Sequence, residues 1–171
     1  MTTVTVNYGA KTTITCGLAT TPLASSANLN AGRESDQIDN STNKFDDALV
    51  EGMVTVGTTP TTNTSIIVYA WGSNESLATT AKDVLDGTDS DETITSAGVA
   101  AGFLKRVATM KVDSNTSNRA YYFGVDGIAQ YFGGVLPKYW GLFVSHNTGV
   151  ALNSTAGNHA VNYIGIKYDN A

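Results

Sequence analysis

Charge is scarce in this 171-residue chain. Ten Lys and Arg stand against fifteen Asp and Glu, 15% of the residues, for a formal net charge of −5. Globular domains ordinarily carry about 25% charged residues. The basic residues are scattered, with Lys105-Arg106 the one adjacent pair, so no cationic patch exists to displace counterions from nucleic-acid phosphates. Cysteine is down to Cys16, which excludes an internal disulfide and any zinc-type Cys/His spacing. No apolar run approaches the roughly 20 residues of a spanning helix. The opening Met1-Thr2-Thr3-Val4-Thr5-Val6 has neither the basic nor the apolar region of a secretory signal. The expectation is a chain with no nucleic-acid or membrane partner and no cofactor. No 20–50-residue period recurs, which argues against a solenoid or propeller.

What is plentiful is Thr, Ser, Asn and Gly, the last numbering 17, set between short β-type runs. Val4-Thr5-Val6 and Thr12 to Cys16 bring β-branched residues together, as a pleated surface favours. Ala48 to Val56 is mostly apolar and stops at Gly57 and Pro60. Ser65 to Trp71 places Ile67, Tyr69 and Trp71 on one face and Ile66, Val68 and Ala70 on the other, the pattern of a central strand buried on both sides. Gly102 to Val112 alternates in part, Arg119 to Val125 and Tyr139 to Val144 are aromatic-rich, and His159 to Tyr168 alternates well. Strands at 8–12-residue spacing with Gly and Asn turns predict an all-β fold, an antiparallel sandwich of jelly-roll type.

Other stretches carry less pattern. Gly17 to Gly32 is rich in Ala, Ser, Thr and Asn with little to pack, so residues 1–31 read as N-terminal strands and an extended arm, and residues 32–171 as the sandwich domain. Glu75 to Leu85 offers Leu77, Ala81, Val84 and Leu85 at helical spacing, though two central threonines suit a loop with one helical turn equally well. A second short turn is expected at Asp126 to Phe132.

Candidate chemistry is sparse. Asp86, Asp89 and Asp91, in the acidic run from Asp83 to Glu92, have the spacing of a weak calcium loop, but the EF-hand ligand ladder does not fit, and a solvated acidic loop is the plainer reading. His146 and His159 sit beside turn signatures, the sequence holds no Gly-x-Ser-x-Gly elbow, and a polar loop or surface role is expected of both. Asp46, Asp47, Glu51, Asp113 and Asp126 flank strands, where an acid/base pair for glycoside hydrolysis would be spatial rather than sequential. Trp71 and Trp140 would stack on sugars in a carbohydrate-binding module, or fill the core. Gly133-Gly134 opens no helix and so cradles no phosphate. The Asn-x-Ser/Thr matches, Asn40 among them, are what this composition produces by chance.

Two segments carry a resemblance. Gly32-Arg33-Glu34-Ser35-Asp36-Gln37-Ile38-Asp39-Asn40-Ser41-Thr42-Asn43 leads into the strand at Ala48, and Phe132-Gly133-Gly134-Val135-Leu136-Pro137-Lys138-Tyr139-Trp140 leads into Gly141 to Val144, with Asn147-Thr148-Gly149 and Asn158-His159 after it. Together they resemble tailed-bacteriophage virion proteins of similar length. The resemblance implies a β-sandwich located in the virion, acting without catalysis as a capsid decoration or cement protein, or as a tail, collar or head–tail component. It brings no catalytic residues. The implied partners are the major capsid protein or other virion proteins and further copies of the chain, a trimer being expected. Within these segments Arg33, Glu34, Asp36 and Asp39 form an oppositely charged cluster that would pin the arm to the sandwich or a neighbour, or make a plain loop ion pair. Pro137 fixes a turn, and Trp140 enters the core behind it.

Overall fold

The computed structural model describes residues 3–170, the side chains of residues 125, 126 and 170 apart. The Asp126 carboxylate and the first two residues of the opening segment lie outside this set. The strands are β1 (Val4–Tyr8), β2 (Thr12–Thr13), β3 (Ala31–Glu34), β4 (Ile38–Asp39), β5 (Asp47–Thr55), β6 (Thr64–Ser73), β7 (Ser90–Thr93), β8 (Lys105–Val112), β9 (Ala120–Gly127), β10 (Tyr139–His146) and β11 (Ala160–Asn170). All pairings are antiparallel. One sheet, A, has the order β1-β11-β5-β9, with β2 also on β11. The other, B, has the order β7-β3-β10-β6-β8, with β4 also on β10. Setting aside the short β2, β4 and β7 leaves β1-β11-β5-β9 facing β3-β10-β6-β8, the nested two-sheet order of a jelly roll. The expected all-β sandwich is the fold.

Alternation drives the packing. Ile66, Val68 and Ala70 of β6, with Trp140, Leu142 and Val144 of β10, meet Val50, Val54, Phe123, Val161 and Tyr163 of sheet A in the main core. Trp140 is fully buried and stands edge-on to Tyr163, with ring centroids 5.3 Å apart at 83°. Pro137 lies against Gly72 of β6, leaving no room there for a side chain. On the other face of sheet B, Trp71 and Phe143 join Leu77, Leu85, Ile94 and Leu104 in a second core. The central strand β6 is therefore buried on both sides, as its unbroken apolar run predicts. Sheet B is covered by residues 74–104, whereas sheet A keeps one face toward solvent.

Three expectations are refined. Of the two readings of Glu75 to Leu85, the loop with one helical turn is the one found, the Thr80 N–H donating to the Ser76 carbonyl at 3.1 Å. Leu77 and Leu85 are buried, but Ala81 is exposed and Asp83 takes a positive φ of 59°, which no right-handed helix admits. Gly17 to Gly32 has more to pack than its composition suggests, because Leu18 and Leu23 sit in the main core. Third, the acidic run is not all loop, since Ser90–Thr93 pairs with β3 as an edge strand. The turn expected near 126–132 is present at Ile128–Phe132, and a wide helical turn covers Val99–Phe103.

Phe45 shows how side chains close the outer strands. Its backbone N–H donates to Asn40 Oδ1 (2.8 Å) while Asn40 Nδ2 donates to the Phe45 carbonyl (2.9 Å). This clamp lays the ring over the bare Cα of Gly165, where any larger residue would collide with it.

The indole N–H groups of Trp71 and Trp140 meet no acceptor among the described residues, so ring burial alone holds both. Trp140→Ala is expected to cost about 3–5 kcal/mol of unfolding free energy, and Trp140→Phe distinctly less. Urea denaturation of both variants measures this, and equal losses would contradict the packing described.

Candidate functional site

The charged cluster foreseen around Arg33 is a fastening hub rather than a reactive centre. Arg33 projects from β3, where its register partner on β7 is Asp91. Its Nε donates to Asp89 Oδ1 at 2.6 Å, one terminal nitrogen to Asp91 Oδ1 at 3.1 Å, and the other to the Asp89 carbonyl at 3.1 Å. The side chains of Arg33 and Asp89 are only 11% and 16% exposed, so this is a largely desolvated, charge-assisted contact. The Asp89 hydrogen bond, foremost, holds the guanidinium above its ordinary basicity. Asp89 Oδ1 also accepts from the Gly17 N–H (2.8 Å), and Asp36 Oδ1 accepts from the Asp89 N–H (2.8 Å). The cluster thus ties both the N-terminal segment and the acidic loop to β3. Asp39 stands apart, exposed on β4, its Oδ1 accepting from the Ser41 N–H.

Glu34 is the unusual member. It is fully buried, with one carboxylate oxygen accepting from the Asp86 N–H (3.1 Å) and the other from the Gly87 N–H (3.0 Å). Burial outweighs those two bonds and pushes its pKa up to about 7. Beside it, Gln37 Nε2 donates to Ser76 Oγ (2.7 Å), and Gln37 Oε1 accepts from the Leu77 N–H (3.2 Å). Residues 33–37 therefore anchor the segment that roofs the second core.

The candidate calcium ligands Asp86, Asp89 and Asp91 are engaged within the chain. Asp89 and Asp91 turn toward a guanidinium, and Asp86 Oδ1 accepts from the Thr88 N–H. Among the described residues no three His, Cys, Asp or Glu side chains converge as a metal set. The other flanking carboxylates are engaged too. Asp46 accepts from the Tyr168 N–H, Asp47 from the Ala129 N–H, Glu51 pairs with Lys11 at 2.7 Å, and Asp113 contacts Arg119 and Tyr121.

His146 departs from its expected surface role. It is wholly buried, and burial lowers its pKa. Its Nε2 stands 3.0 Å from the Leu23 carbonyl, to which it donates, and its Nδ1 lies 3.0 Å from the Thr148 hydroxyl, which itself reaches the Val150 carbonyl at 2.9 Å. It fastens residues 23–26 to the end of β10, helped by the Ser26 N–H on the His146 carbonyl (2.8 Å). His159 is half-buried, its Nε2 at 2.8 Å from the Asn153 carbonyl. Burial and the nearby Asp89 push the Cys16 thiol up, keeping it protonated.

What remains open is the outer face of sheet A. Val4, Val6 and Tyr8 of β1 and Tyr168 of β11 share that face and are 59%, 46%, 66% and 51% exposed. β5 pairs β11 only as far as Ile166, whereas β1 follows β11 to Asn170. The two strands therefore run on as a two-stranded ribbon past the body. Farther along the face, Lys11 reaches over β11 to Glu51, and a shallow groove of about 460 Å³ is lined by both with Met53, Tyr122 and Asn162. Tyr122 is 72% exposed. Trp71 and Trp140 offer no such platform, being buried. Sequence reading missed this surface. Its one signal was the uncharged alternation Val4-Thr5-Val6-Asn7-Tyr8.

No known protein family, curated protein or solved structure matches this chain.

The Glu34 shift has a pH consequence. A carboxylate whose folded pKa lies above its unfolded value near 4.5 holds more protons when folded. Its contribution is fully present below about pH 4.5 and is lost as pH rises through about 7. His146 and His159, lowered by burial, act oppositely, their contribution fading as pH falls below 6.5. Comparison with Glu34→Gln isolates the carboxylate. The stability of the wild type relative to the variant is expected to fall between pH 4.5 and 7. Thermal melts across that range check it, and a flat difference would contradict it.

Proposed function

We propose that this chain is a non-enzymatic structural component of a virion, a decoration or cement protein that binds the outside of a capsid shell. The observation that carries the reading is the β1/β11 ribbon. It is a folded two-stranded extension of the jelly roll, apolar on the face of Val4, Val6, Tyr8 and Tyr168 and uncovered there among the described residues. Two-stranded ribbons are marginal alone and gain stability from a neighbour. A surface of this kind is suited to permanent assembly, where many modest contacts act together. Jelly rolls recur in capsid proteins as well as lectins, which is support by fold analogy only. The resemblance of the Gly32–Asn40 and Phe132–Val144 segments to virion proteins points the same way. The partners under this reading are the major capsid protein and further copies of the chain.

Mass spectrometry of gradient-banded particles tests the role by copy number. Hundreds of copies per particle are expected for a shell protein. Six or twelve would move the chain to the tail, collar or head–tail junction. Complete absence would overturn the virion reading.

The groove favours one second reading, a carbohydrate-binding module. Tyr122 presents an open ring for stacking on a sugar's C–H face, with the Glu51 carboxylate, the Lys11 ammonium and the Asn162 amide beside it for hydroxyls. On that reading, maltose or lactose at millimolar concentration shifts the Gly124 and Asn162 amide NMR signals, and Tyr122→Ala abolishes the shift while Tyr122→Phe keeps it. Signals unmoved by either sugar would count against it.

A further inference from the structure

The free edge of β1 differs from the other sheet edges. At the margins of sheet B, β7 is four residues long and carries Asp91 and Glu92, and β8 carries Lys105, Arg106 and Lys111. At the far margin of sheet A, β9 pairs β5 through a register shift between Leu49 and Glu51. Short length, charge and irregularity are the devices that keep strand edges from pairing with other chains. β1 has none of them. It is Val-Thr-Val-Asn-Tyr, regular over five residues, with no charge and no proline.

The ladder also fixes which backbone groups are open. The Gly9 N–H donates to the Gly165 carbonyl at 2.8 Å, and the register continues through Asn7↔Lys167 and Thr5↔Asp169. In an antiparallel pair, bonded and non-bonded positions alternate. The odd residues thus spend their N–H and C=O groups on β11. Val4, Val6 and Tyr8 turn theirs outward.

We propose that β1 pairs with β1 of a second copy, antiparallel about a two-fold axis at Val6. This rests on the assembly reading above and names a partner for the same ribbon. In that register Val6 faces Val6 of the second copy, Val4 faces its Tyr8, and Thr5 faces its Asn7. Apolar meets apolar on one face and polar meets polar on the other. Every outward N–H and C=O of Val4, Val6 and Tyr8 finds a complement, and each two-stranded ribbon becomes part of a four-stranded one. An isologous contact requires such self-complementarity. The uncharged strand brings no like charges together. The pairing adds main-chain hydrogen bonds and covers only the edge-facing flanks of these side chains, so the contact belongs to the weak class below about 1,200 Å² of total buried area.

The experiment is sedimentation equilibrium of the purified full chain at about 100 µM, a concentration that populates contacts of micromolar strength. A particle of twice 17.9 kDa is expected for the wild type. Val6→Pro removes an N–H that β11 does not use, so its circular dichroism should match the wild type while its dimer dissociation constant rises at least tenfold. Val6→Lys, which sets like charges on the axis without restraining the backbone, should do the same. Val6→Thr keeps the N–H and should remain dimeric. A monomeric wild type, a trimer or other odd ring, or a dimer indifferent to both Val6→Pro and Val6→Lys overturns the pairing. Particle binding is read separately. A monomer found on shells therefore refutes this contact and spares the function, and a dimer missing from particles does the reverse.

Discussion

The contact between Arg33 and Asp89 is the constraint on which the layered architecture depends. Sheet B carries large side chains on both faces, and one of those faces would be bare without the 74–104 segment over Trp71 and Phe143. That segment has almost no regular structure to hold it in place. It is held by side chains and backbone groups of residues 33–37, where Arg33 takes Asp89 and Asp91, Glu34 takes two loop amides, Asp36 takes a third, and Gln37 clasps Ser76 and Leu77. Partial burial makes these bonds count for more than the same pairs would on an open surface. The hub also reaches Gly17, so a few residues of β3 and its continuation organise segments from distant parts of the chain.

The long strands were legible because their signal is local. β6 announces itself by an apolar run on both parities, and β11 by an alternation that puts Val161 and Tyr163 inward. The packing of Trp140 followed from the Pro137 turn and the aromatic strand behind it. The short strands β3, β4 and β7 were not legible. Ser-Asp-Glu-Thr holds no apolar residue, and it becomes a strand because Arg33 lies opposite Asp91, a fact of register and not of composition. Glu75 to Leu85 left two readings open for the reverse reason. Its leucines do face a core, but from turns, and their helical spacing was incidental once Asp83 took a left-handed conformation. His146 looked like a turn residue because only the fold brings the Leu23 carbonyl to its ring.

Of the site, sequence reading found the charged residues of the hub but assigned the acidic run to solvent or an ion, since nothing in the linear order joins position 33 to positions 89 and 91. The open face of sheet A was the least visible feature. Exposed valines and tyrosines look like core residues until the sheet is seen to have no cover. The asymmetry between the two sheets is what turns an ordinary jelly roll into a candidate for assembly. One outer face is sealed by the chain itself, and the other stays exposed among the described residues.

The nesting of the strands also imposes an order on synthesis. β11 lies between β1 and β5, so β1 has no neighbour in the sheet until β11 is made. Until then Val4, Val6 and Tyr8 stay unpaired, while sheet B, whose central strands β6 and β10 pair with each other, does not wait for β11. Pairings this distant in sequence form slowly, and uncharged β-branched segments waiting in the open are where misassembly begins. The ribbon is thus the pairing that joins the most distant strands of the described chain.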